Sequence, residues 1–282
     1  MSAVVVARNI RPKAAASSAL DLCLRSALAE PWIDDLVIVD CGNPPEVSSA
    51  FKMLQLDRRD VSVIAAGKGV SATGAANLGA NAARGRWLLF LDAGTVLQRG
   101  AVARMAAAGG GVASPWIVGG RLLDSQGRDR PAVRTGALNT WSAIAEAMDW
   151  RGPRPLRRRG ARLEPDEALP VAAVSGAFML IGRHDFTELA GFDERFVADG
   201  ADLDLCLRAR EAGGAVLFQP AAAGVQFLRG AHGARRAQGL ARFAAKSAKT
   251  PLQKAFALIA PPALAVLVAL KDFVAGRPPQ PR

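Results

Sequence analysis

The chain has 282 residues, half of them apolar and 22% charged, so it can bury a full core and is too hydrophobic for extensive disorder. Lys and Arg number 36 against 25 Asp and Glu, a formal charge of +11, which points to an anionic partner: nucleic acid, acidic lipid or a phosphorylated substrate. Cys23, Cys41 and Cys206 are odd in number and widely spaced, which argues against a disulfide framework or zinc site and for a reducing cytoplasm.

Residues 4–7 open a strand at once, without the basic region and long apolar run of a cleaved secretion signal. Short apolar runs at 4–7, 36–40, 61–66 and 87–92 read as strands buried on both faces, as a parallel sheet requires. Between the first two, Leu20, Cys23, Leu24, Ala27 and Leu28 share a helical face, opened by a Ser18-x-x-Asp21 capping pattern and closed before Pro31. Further helices are predicted over 71–83 and 98–108, the latter ended by Gly109-Gly-Gly111. The first hundred residues thus alternate strand and helix, the pattern of an α/β fold. Residues 151–162, RGPRPLRRRGAR, lack apolar periodicity and read as a loop. A strand over 171–182, a helix over 202–212 stopped by Gly213-Gly214, and a short strand over 216–219 follow. Residues 255–270 form an uncharged run of sixteen, interrupted by Pro261-Pro262 and preceded by several basic residues. As a helix it would span about 24 Å, short of a hydrocarbon core of roughly 30 Å, so an interfacial membrane segment is expected, with packing on the protein itself as the alternative. The expected division is a main domain over 1–230 and a basic, apolar helical extension over 231–282.

Ligands of open α/β sheets bind beyond the carboxyl ends of the strands. Asp40 stands where a strand meets a Gly turn, suited to a base or ribose, although a turn-forming Asp looks the same. Lys68 lies in Gly67-Lys-Gly-Val-Ser-Ala-Thr-Gly74, which matches neither a dinucleotide fingerprint nor a Walker loop but can border a diphosphate. Asp92 ends a hydrophobic strand and could hold a divalent cation between phosphates, or cap a turn. Asp202 sits at a helix start, where capping is the plainer reading.

Three ordered segments carry a family resemblance: Val174-Ser-Gly-Ala-Phe-Met-Leu-Ile-Gly-Arg183, Gly191-Phe-Asp-Glu-Arg-Phe196 and Gly200-Ala-Asp-Leu-Asp-Leu-Cys-Leu-Arg208. With Val37-Ile-Val-Asp40, Asn77-Leu-Gly79 and Ala82-Ala-Arg-Gly85, they resemble the inverting family-2 glycosyltransferases of the GT-A fold, especially the rhamnosyltransferase-like bacterial branch, over about residues 3 to 230. The resemblance implies a Rossmann-like, mostly parallel sheet flanked by helices, followed by a membrane-associating helical appendage. It implies transfer of a sugar from a nucleoside diphosphate to a glycan or lipid-linked acceptor, at the cytoplasmic face of the inner membrane, for cell-surface polysaccharide. By the same resemblance Asp202 is the base, Asp40, Asn77 and Asp92 hold the sugar nucleotide, and Gly176 and Ala177 face the acceptor, while Lys68 is expected at the sugar nucleotide from its own loop. Mg or Mn would sit at Asp92.

The chain departs from that pattern at three places. Gly94 stands for the second metal Asp, Ala201 for the Glu before the base, and Val225-Gln-Phe227 for a downstream His, with His232 or nearby arginines as possible compensation. A catalytically impaired binding or scaffold protein is therefore the alternative. Nucleic acid is not the expected partner, because the basic 151–162 run has no interleaved aromatics, whereas an anionic membrane surface is.

Overall fold

Side chains of a strand alternate between faces, and here both faces are apolar, so the sheet carries a core on each side. The computed structural model describes residues 1–10, 15–130, 133–134, 138–148, 167–196, 199–227 and 234–274. The 151–162 run, His232 and the 230/231 boundary lie outside these residues. In β1 (Ser2–Ala7) Val4 faces one core while Ala3, Val5 and Ala7 face the other; in β2 (Asp35–Asp40) Val37 and Val39 oppose Leu36 and Ile38 in the same way. The chain continues through β3 (Val61–Ala65), β4 (Trp87–Asp92), β5 (Thr95–Leu97), β6 (Trp116–Leu123), β7 (Val133–Arg134), β8 (Leu169–Pro170), β9 (Ala173–Val174), β10 (Phe178–Gly182) and β11 (Ala215–Gln226). The main sheet has the order β3-β2-β1-β4-β10-β6-β11-β5, with β8 beside β11, while β7 pairs β9 apart from it. Strands β1, β2, β3, β4, β6 and β11 run one way, and β10, β5 and β8 run against them.

Helices α1 (Ala15–Leu28), α2 (Pro45–Asp57) and α4 (Ala101–Gly110) cover one face through Cys23, Phe51 and Met105. The other face is covered by α3 (Ala72–Ala82), α5 (Ser142–Ala147), α6 (Arg183–Glu188), α7 (Ala201–Glu211), α8 (Ala234–Lys246) and α9 (Pro251–Val274). This is the α/β, GT-A-like architecture expected, with the parallel strands at one side of the sheet and mixed pairing at the other. The three cysteines are free and buried.

Local details differ from the sequence reading for physical reasons. Helix α1 already includes Ala15, so Ser18 lies inside it and Asp21 pairs with Arg25 at 2.8 Å; alanine is the best helix former and carries the helix past the capping pattern. Ser71 does cap α3, its hydroxyl accepting the Gly74 N–H at 3.0 Å. The run 171–182 splits at Ser175-Gly-Ala177 into β9 and β10, and that break becomes part of the site. Helix α9 runs through Pro261 and Pro262 for 24 residues, about 36 Å at the α-helical rise, rather than stopping there. Proline removes only the N–H bonds to Ala257 and Leu258, and the rest of the helix rests on α8 and α5 through Ala260, Leu264 and Val268. By length and composition α9 can cross a membrane.

Candidate active site at the strand ends

The carboxyl ends of β3, β2, β1, β4, β6 and β11 meet at one edge, and the strand order reverses between β1 and β4, where ligands of open α/β sheets bind. Asp40 and Asp92 end the two neighbours of β1, so the topology sets them on either side of that switch point.

On the β2 side, Asp40 Oδ1 accepts the Asn43 N–H at 3.0 Å and its Nδ2 at 2.7 Å, while Oδ2 accepts the Ser48 hydroxyl at 2.5 Å. Burial alone would raise this carboxyl; the bonds from Ser48 and Asn43 win and hold it below the ordinary carboxylate value. Asp40 is thus ionised and locked in place by its own turn. Gly42 follows at φ +68°, and a Cβ there would stand 2.5 Å from Lys68 Cγ. The loop after β3 therefore rests on the loop after β2, bringing exposed Lys68 beside the Asp40 turn.

Asn77 is differently employed. Its Nδ2 donates to Phe192 O at 2.8 Å and to Glu194 Oε1 at 3.1 Å, and its Oδ1 accepts the Phe192 N–H at 3.0 Å. The side chain clasps the Gly191–Glu194 turn onto α3. Asp193 in that turn is gripped by Arg195 (2.9 Å), Lys246 (3.1 Å) and Arg242 (3.4 Å), the last two from α8. One open groove borders this clasp, lined by Asn77, Asp193, Glu194 and Lys246, and another lies between α8 and α9 at Arg242 and Pro261. Asp40, Lys68, Asp92 and Asp202 line neither groove.

On the β4 side, a single turn joins the two carboxylates of interest. The Asp92 N–H donates to Ala177 O at 3.0 Å, and one residue earlier the Gly176 N–H donates to Asp202 Oδ2 at 3.1 Å. Asp202 therefore does not cap α7. Gly200, at φ +97°, is the N-cap, and Asp202 stands in the first turn with its other oxygen accepting the Leu203 N–H at 2.9 Å. A left-handed residue at the cap aims α7 so that its first turn meets the Ser175–Ala177 turn.

Asp92 itself is held by the far end of β11. Gln226 Nε2 donates to Asp92 Oδ2 at 2.8 Å, and Gln226 Oε1 accepts from Arg130 Nη1 at 3.2 Å. Burial raises the Asp92 carboxyl, with the Gln226 amide and the Arg130 charge opposing. Two residues of this cluster carry no signal of their own in the sequence: Arg130 follows an ordinary turn, and Gln226 is legible only as the residue in the stretch that replaces the family's His.

A divalent cation draws on several oxygens, and the described residues here offer it one carboxylate that an amide already engages, which is a poor fit. An amide N–H occupies Asp92 Oδ2, Gly94 offers no side chain, and its carbonyl accepts the Phe227 N–H at 2.8 Å. Among the described residues no three His, Cys, Asp or Glu side chains converge.

The profile of the glycosyltransferase-like family 2 matches residues 1–251. A stretch of 95 residues is 35% identical to the N-acetylglucosaminyl-diphospho-decaprenol L-rhamnosyltransferase of Mycobacterium tuberculosis, covering 34% of this chain and 30% of that protein. The match thus spans well under two thirds of the curated relative. Among solved structures, GalNAc-T7 with UDP, GalNAc and Mn2+ superposes with a TM-score of 0.65 at 17% identity, over 100% of this chain and 58% of that one. The mannosyltransferase PcManGT of Pyrobaculum calidifontis, in complex with GDP-Man and Mn2+, gives 0.57 at 17% identity, over 98% and 74%. At those identities the structures speak for the fold alone.

Proposed function

The chain belongs to the glycosyltransferase-like family 2, and on that premise we propose that it transfers a sugar, with inversion, from a nucleoside diphosphate to a glycan or lipid-linked glycan acceptor in cell-surface polysaccharide synthesis. The observation that carries this reading is the shared turn: Gly176 holds the Asp202 carboxylate and Ala177 holds the end of β4, which supports a reading of Asp202 as a base beside a donor-side strand end. In the proposed reaction the acceptor hydroxyl attacks the anomeric carbon in line while Asp202 takes its proton. The bond from that carbon to the diphosphate oxygen breaks, and its electron pair leaves with the diphosphate. Asp40 and Lys68 hold the nucleotide end of the donor, Asp92 borders its diphosphate, and Gly176 and Ala177 line the acceptor side. Asn77 acts through the turn that it clasps. The relative's name, which includes a lipid-linked diphosphate sugar, supports an acceptor of that class. The exposed apolar side of α9, with Leu258 83% exposed, supports attachment to an anionic membrane, proposed as the cytoplasmic face of the inner membrane.

Asp202→Asn tests the reading. Turnover with a responsive sugar nucleotide should fall by roughly a hundredfold or more while the donor still binds; full turnover would remove Asp202 as the base. Gly94, Ala201 and the Gln226–Asp92 bond favour a second reading, a binding or scaffold protein without turnover, and that reading predicts donor binding with no transfer by the unaltered chain.

A further inference from the structure

We propose that Arg130 supplies the positive charge for the donor diphosphate, so that this chain holds and discharges its donor without a divalent cation. The inference rests on the transferase reading and concerns how that same site stabilises its leaving group. Both places where the resemblance would add ligands around Asp92 are used differently here. Gly94 contributes only a carbonyl, already bonded to the Phe227 N–H at 2.8 Å. At the end of β11 stands Gln226, 8% exposed, whose amide reaches both ways: Nε2 to Asp92 Oδ2 at 2.8 Å and Oε1 from Arg130 Nη1 at 3.2 Å.

Three features fit Arg130 to the role. Its backbone N–H donates to Leu122 O at 2.8 Å, so the turn after β6 brings it back to the edge where β4, β6 and β11 end. A guanidinium is a planar fork of N–H donors that matches phosphate oxygens and keeps its charge at any working pH. The neutral amide of Gln226 also stands between guanidinium and carboxylate. Gln226 thereby ties the guanidinium to the Asp92 carboxylate, which holds Arg130 beside the strand end that the proposed reaction puts at the diphosphate. Fixed donors aimed at developing charge are what such a step needs.

The test is calorimetric titration of the full chain with UDP, GDP and dTDP, in EDTA and again with Mn2+ or Mg2+. At least one of them should bind in EDTA with a Kd within about threefold of its value with metal. Arg130→Ala should weaken that binding roughly ten- to hundredfold at an unchanged melting temperature, and Arg130→Lys should recover part of it. Binding that appears only with metal overturns the inference and leaves the transferase reading standing, and it needs no variant to observe. Arg130→Ala binding as tightly as the unaltered chain in EDTA overturns it as well. A chain that binds none of the three under either condition overturns the transferase reading and this inference with it.

Discussion

Asp40 and Asp92 end strands on either side of β1, yet their surroundings push them in opposite directions. Asp40 gathers an amide, a backbone N–H and a hydroxyl, which keep it ionised against the cost of its burial; burial raises Asp92 and outweighs the Gln226 amide, the Ala93 N–H and the Arg130 charge, which all oppose it. Their positions are legible in the sequence because an apolar strand stopped by Asp is a strong pattern. Their partners are not, because Gln226 and Arg130 lie 134 and 96 residues away from the groups they bind and meet them only through the sheet. Gly42 tests the contact between the two loops. With φ at +68° and Lys68 Cγ in the space of a Cβ, Gly42→Ala should cost roughly 1–3 kcal/mol in urea unfolding and weaken nucleotide binding together. A variant as stable as the parent would mean that the two loops do not rest on each other.

Helices α8 and α9 show what patterning gives and where it stops. The apolar run over 255–270 announces a helix, but the prolines made it look interrupted, since sequence alone does not reveal that α8 would supply the packing to carry the helix through them. The clasp at Asp193 was not legible in the sequence, because Arg242 and Lys246 read as a basic flank until α8 is docked. Lys246 also reaches the buried Asp204 at 2.7 Å, so Lys246→Ala should destabilise the fold by about 1–3 kcal/mol. The Arg195 bond first, and Lys246 after it, hold Asp193 below the ordinary carboxylate value of 3.8, so the stability they confer is complete above that pH and lost as pH falls below it. Urea midpoints at pH 6 and pH 3 should therefore differ less for Lys246→Ala than for the parent; an equal acid loss would contradict the clasp. On α9, Leu258→Glu with Val266→Glu should reduce binding to phosphatidylglycerol vesicles at least about tenfold. Both residues are exposed, so melting should not change, and unaltered vesicle binding would remove α9 as the membrane contact.

Across the whole molecule, the strand pattern predicts an α/β fold, and the ordered motifs from Val37 to Arg208 narrow it to one family. They leave part of the far half of the sheet unmarked. Strand β6 lies outside the predicted strands, and β11 extends beyond the predicted 216–219, its pairing shifting register between Gln219 and Ala223. A bulge of this kind is set by tertiary pairing, and it is the route by which Gln226 arrives at Asp92. The proposed site thus combines a strand-end half visible as motifs with a half assembled by long-range pairing, and the same turn, Ser175–Ala177, joins Asp92 to Asp202. The most direct measurement is transfer of labelled sugar from a panel of nucleoside-diphosphate sugars to lipid-linked glycan acceptors by the full chain. At least one donor should be bound and discharged with inversion at the anomeric carbon, and Asp202→Asn should bind that donor without discharging it; a chain that binds no donor in the panel and transfers nothing would contradict the transferase assignment.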